Sequence, residues 1–147
     1  MSISLVMSSV GQLSFPVLCL SRDTSILVIA GPEQLQRCNA LAFFKTRYFD
    51  DLLIFDSSCA HYRVVRCELV TPLTGIRKWL IRALNRPLTV ELTLQTERQA
   101  SLSTAKEHVL VWLKKAPGFW QESRDMADWE RLVKAAPDMR RLIQLFA

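Results

Sequence analysis

Asp50, Asp51, Asp56 and His61 are the residues of this chain whose types and spacing come nearest to a reactive site. Two adjacent carboxylates, a third five residues on and an imidazole could share a proton or hold a divalent ion. The spacing fits no metal motif. Adjacent residues of an extended chain point to opposite faces, so Asp50 and Asp51 cannot both line one pocket from a strand. Asp and Ser also favour turns, because their side chains bond nearby backbone groups, and Asp56-Ser57-Ser58 reads as such a turn. Turn capping is therefore the simpler reading of the four, and a small enzyme built on them is the alternative. The only other histidine is His108. A Cys59–His61 or Cys38–His108 pair has no strained-turn motif to frame a nucleophile. The four glycines are isolated and form no phosphate-cradling loop. Cys19, Cys38, Cys59 and Cys67 contain no C-x-x-C pair, and three of them sit inside apolar patterns, so they read as reduced, buried hydrophobes. No cofactor or metal is implied.

Charge is more informative than reactivity. The chain has 147 residues, 50% of them apolar and 22% charged, which excludes a disordered or low-complexity architecture and suits a single domain over 1–147. Its net charge is +5, and the excess is confined to one stretch. Residues 63–86 hold six basic residues against one acidic, whereas the segments before and after are close to neutral. The six are Arg63, Arg66, Arg77, Lys78, Arg82 and Arg86. A basic amphipathic segment of this kind docks on an acidic protein, an anionic membrane or nucleic acid, or is simply a solvated face. No helix-turn-helix, RNP-type or zinc-finger signature accompanies it, so nucleic acid is the weaker choice.

The elements that must position these residues alternate between the two regular periods. Strands are predicted at Phe15–Leu20, Ser25–Ala30, Leu52–Phe55, His61–Val70 and Leu88–Glu97. In His61–Val70 strict alternation puts Tyr62, Val64, Arg66 and Glu68 on one face and Arg63, Val65, Cys67 and Leu69 on the other. Leu88, Val90, Leu92 and Leu94 face inward in the last strand, opposite Thr89, Glu91, Thr93 and Gln95. A helix over Glu33–Phe44 follows Gly31-Pro32, with Leu35, Cys38, Leu41 and Ala42 on one stripe. A second, Pro72–Asn85, carries Leu73, Ile76, Trp79, Leu80, Ala83 and Leu84 on an apolar face with Lys78, Arg82 and Arg86 opposite. Aromatic residues at helical spacing belong by default to the core, Trp79 included. Phe43, Phe44, Tyr48 and Phe49 form a dense cluster, mostly buried, of which one or two could anchor a partner. The last third is helical, with starts at Ser103-Thr104 (Glu107 at capping-box spacing), Asp125 and Pro137. The expected fold is α+β, with a mostly antiparallel sheet of about five strands.

The helix opened by Glu33-x-Leu35, the runs Tyr48-Phe49-Asp50-Asp51, Leu53-Ile54-Phe55-Asp56-Ser57 and Tyr62-Arg63-Val64-Val65, the pair Phe119-Trp120 and the tail Leu142-Ile143-x-Leu145 together resemble small stand-alone bacterial proteins. These include immunity proteins of polymorphic and contact-delivered toxin systems. The resemblance implies no catalysis: such a protein binds its cognate toxin and blocks an active site or substrate channel. Inhibitors of nucleic-acid-cleaving toxins are often acidic, mimicking the substrate, so the basic charge of this chain speaks against a nuclease target and for an acidic or differently charged toxin face. The reading is a cytoplasmic, non-catalytic protein-binding module without a membrane span, for which a second copy is a further possible partner. Its expected contacts are Arg77, Lys78, Arg82 and Arg86, with Asp50 and Asp51 as a second contact of opposite sign.

Overall fold

A computed structural model describes residues 7–22, 24–45, 47–70, 74–96 and 101–147. The fold is α+β, and its helical C-terminal third packs on a seven-stranded antiparallel sheet. The strands are β1 (Met7–Ser9), β2 (Val17–Leu20), β3 (Ile26–Ile29), β4 (Arg37–Asn39), β5 (Leu53–Phe55), β6 (His61–Leu69) and β7 (Pro87–Thr96). They run in the order β1-β7-β6-β5-β2-β3, with β4 also on β7. β1 meets β7 at Thr93–Gln95 and β4 meets it at Pro87–Thr89, so both share the edge that β6 leaves open. These two three-residue strands raise the number from the expected five, and both are too short to show a period.

β2 and β5 are buried at every position, because the sheet is covered on both faces there. Leu18, Leu20, Leu53 and Phe55 join one core with α3 (Leu102–Lys115), α5 (Met126–Ala135) and α6 (Met139–Gln144). Val17, Cys19, Leu52 and Ile54 join a second core on the other face, with Leu35, Phe49 and the inward residues of β7. Leu88, Val90, Leu92 and Leu94 are all buried, as alternation predicts. Side chains capping the helices are Ser101, Asp125 and Asp138, which accept from the backbone N–H of Thr104, Asp128 and Arg141 at 2.8–3.1 Å. The first cap thus lies at Ser101, and Thr104 sits inside the helix.

Three expectations need correction. The helix over Glu33–Phe44 is broken into α1 (Pro32–Leu35), β4 and a π-helical turn at Leu41–Lys45. β7 would otherwise leave edge groups unpaired, and its Val90 N–H donates to Gln36 O at 2.7 Å; that pairing outweighs a sparse helical stripe. In β6 a bulge between Val64 and Arg66 shifts the phase. Cys67 and Leu69 therefore join Tyr62 and Val64 against one core, and Arg66 and Glu68 leave that face. The third concerns α2 (Gly75–Ala83), whose apolar face exists but is left exposed, with none of its residues buried. Ile76 is 78% exposed, Trp79 67%, Leu80 43% and Leu84 59%. Leu73 lies outside the described residues.

Candidate binding surface

α2 bridges β6 and β7 and is attached along one side only. Gly75 enters it at φ +60°, a conformation that costs glycine little. Its exit is clamped to the segment before the π-helical turn. Asn85, at φ +49°, accepts the Leu41 N–H on its side-chain oxygen at 2.8 Å, and the Ala40 N–H donates to Arg86 O at 3.1 Å. Lys78 and Arg82 lie over the Phe44 ring, 5.6 and 5.1 Å from its centroid. Of the apolar side chains of α2, Ile81 is half-buried, whereas Ile76, Trp79, Leu80 and Ala83 are exposed. The helix is thus turned opposite to the ordinary sense, with cations against the body and the apolar stripe outward.

Arg77, Lys78, Arg82 and Arg86 are all exposed. Among the described residues no ion pair engages them. The sequence contains no acidic residue from Leu69 to Val90, so nothing local neutralises them. Arg63 and Arg66, the other two basic residues of the stretch, project from β6 instead, and Arg66 pairs with Glu68.

Asp50 and Asp51 sit in a tight turn with left-handed residues at Arg47 and Asp51. Asp50 pairs with Arg47 at 3.0 Å and Asp51 with Arg22 at 3.7 Å. Beside them opens a shallow cleft of about 210 Å³ lined by Phe43, Phe44, Arg47, Tyr48, Phe49, Asp50 and Cys67. It adjoins a second depression of about 340 Å³ that shares Phe49, Asp50 and Cys67 and adds Asp51, Arg63 and Arg66. Phe44 lines both this cleft and the groove beneath α2 formed with Ala40, Leu41, Arg82 and Asn85. The cationic helix and Asp50 are therefore parts of one continuous surface, joined by an aromatic ring. Of the aromatic cluster, Phe49 is buried, while Phe43, Phe44 and Tyr48 are half-exposed. The sequence offered no sign that Phe44 would link the two charged regions, since only the irregular turn aims it there.

The acid–base candidates are not brought together. Leu53 pairs with Arg63 and Phe55 with His61, so Asp50 and Asp51 lie at one end of β5 and Asp56 and His61 at the other. Asp56 is buried and accepts from the Ser14, Ser58 and Ala60 N–H groups and the Ser58 hydroxyl at 2.6–3.1 Å. This is the turn role its neighbours suggest. His61 stacks on Phe55 at 4.3 Å and meets His108 of α3 edge-on at 5.2 Å. That His–His contact spans 47 positions and left no trace in the local pattern. The four cysteines are free thiols. Burial pushes Cys19 and Cys67 up to about 12 and Cys38 to about 11, away from thiolate chemistry. Among the described residues no cluster of three His, Cys, Asp or Glu could hold a metal, and no helix is long and apolar enough to cross a membrane. No family model, curated protein or solved structure matches this chain.

Proposed function

We propose that the protein is a non-catalytic binding module that works by covering part of another protein, and that it is an immunity-type inhibitor of a bacterial toxin. The observation that supports the binding reading is the continuity of the cationic side of α2 with the aromatic cleft beside Asp50. Unpaired cations, half-exposed aromatic rings and a carboxylate within one surface are the ingredients of an interface anchor with a charged rim. The inhibitor reading adds the sequence resemblance, and it calls for an acidic partner face. Separation of the acid–base candidates to opposite ends of β5 favours binding over catalysis.

The test uses the partner recovered by co-purification from the native host, or the product of an adjacent toxin gene. Reversing Arg77, Lys78 and Arg82 together to Glu should weaken the complex at least a hundredfold by calorimetry, since close interfacial charge pairs carry about 1.5–7 kcal/mol of coupling. Far-ultraviolet circular dichroism should not change. Unaltered affinity would remove α2 from the interface, and toxin activity that persists in the complex would remove the inhibitor reading.

A further inference from the structure

The cleft and the cations leave the outward stripe of α2 unexplained. Ile76, Trp79, Leu80, Ala83 and Leu84 lie together on the solvent side of a helix that buries no residue. On a helical projection at 3.6 residues per turn, Arg77 flanks one margin of this stripe and Arg82 the other. Trp79 and Ala83 also line a broad, open depression with Gly75, Lys78 and Arg82, so the stripe meets the cations along one margin. Three occupants come to mind for such a face. A second copy would set two sets of cations against each other across a two-fold axis, with no acidic residue between 69 and 90 to relieve them. A protein groove would need to be both deep and acid-rimmed. A bilayer surface needs neither depth nor matched shape. It takes an apolar stripe below the headgroups, a tryptophan at their level and cations reaching outward to anionic phosphates.

We propose that α2 seats in the plane of an anionic lipid surface, with Ile76, Trp79 and Leu80 inserted, Arg77, Arg82 and Arg86 at the headgroups and Lys78 held back over Phe44. This goes beyond the binding-module reading: the inserted stripe is its own, and only the flanking cations are shared with the protein interface proposed above. The connection between β6 and β7 would thus be a reversible membrane contact, and the helix would lie on the bilayer without spanning it. A helix this short, with four cations, binds weakly to neutral lipid and gains about fivefold for each cation near an anionic surface. Binding should therefore depend steeply on lipid charge and on salt.

The experiment is flotation of the full-length protein with vesicles of phosphatidylcholine or of phosphatidylglycerol. At low salt the protein should float with phosphatidylglycerol and stay behind with phosphatidylcholine. Trp79→Ala and Arg77→Glu should each lower the bound fraction roughly tenfold, in keeping with the worth of one or two anchoring groups. Arg140→Glu makes the same charge change on α6 of the helical layer and should leave binding intact. Equal circular dichroism and urea midpoints would show that all three variants are folded. Failure to float with phosphatidylglycerol would overturn the proposal. So would equal losses for Arg77→Glu and Arg140→Glu, which would mean attraction by net charge alone. A dimer in sedimentation equilibrium that Trp79→Ala dissolves would hand the stripe to a second copy and overturn it as well. Flotation with phosphatidylglycerol by a protein that binds no toxin would uphold this proposal and count against the binding module only.

Discussion

α5 and α2 are both short amphipathic helices centred on a tryptophan, and the protein treats them in opposite ways. In α5, Trp129 is 4% exposed, stacks on Phe146 at 5.3 Å and donates its indole N–H to Trp120 O at 2.9 Å. In α2, Trp79 is 67% exposed. The difference is one of setting. α5 is held on both sides, by α3 and by the chain's end, over the covered face of β2 and β5. α2 hangs from the far end of a hairpin and is clamped along its cationic side. Amphipathicity records that a face needs cover, and it is silent on whether the cover comes from within the chain.

The largest effect should come from the helix that is covered. Trp129→Ala removes a buried indole and is expected to cost about 3–5 kcal/mol of stability in urea unfolding. A loss under 1 kcal/mol would mean that the helical layer is loosely packed and that the contrast with α2 is weaker than drawn. Carboxylates offer the next comparison. Asp56→Ala leaves three backbone N–H groups without their acceptor and should cost about 2–4 kcal/mol. Asp51→Asn keeps a side chain suited to the left-handed backbone, breaks only a surface ion pair with Arg22 and should cost no more than about 0.5–1 kcal/mol in the same measurement.

A smaller effect depends on pH. Burial raises the Cys19 thiol from 9.0 to about 12, so the folded chain keeps a proton that the unfolded chain loses. Stability contributed by that proton is intact below pH 9 and drains away as pH rises toward 12, by at most about 1.4 kcal/mol per pH unit. Cys19→Ala should flatten this part of the alkaline slope when urea midpoints are followed upward from neutral pH. An unchanged slope would mean that the thiol is open to water. The smallest stability effect expected is that of Trp79→Ala, within about 0.5 kcal/mol of the parent, because that side chain is largely exposed. A loss comparable with that of Trp129→Ala would refute the outward orientation of α2.

Much of the fold was legible in residue pattern. Period-two burial of Leu88, Val90, Leu92 and Leu94 appeared as read, as did strands within Phe15–Leu20 and Ser25–Ala30 and the helix start at Asp125. What escaped was whatever depends on a distant partner. β4 exists because β7 has an edge to fill, and nothing within Arg37-Cys38-Asn39 announces it. The bulge at Val65 reverses which residues of β6 share a face, and periodicity has no mark for an inserted residue. The candidate surface was half legible. Its charges were visible as a run of six basic residues, and Asp50 and Asp51 as a neighbouring pair. The linking role of Phe44 was not, because a five-residue π-helical turn sets its direction. The outward turn of Trp79 was not visible either, because an amphipathic stripe reads the same whichever way it faces.

The Val70 N–H donates to Thr89 O at 3.1 Å, closing the β6–β7 ladder immediately below the α2 excursion. That bond makes a neck. Everything beyond it hangs from a hairpin already registered by residues inside the sheet, so changes there should pass through folding almost unnoticed. Shortening 74–84 to a tight turn, with Asn85 and Arg86 kept for their bonds to Leu41 and Ala40, should yield a protein that folds normally and has lost its projecting face.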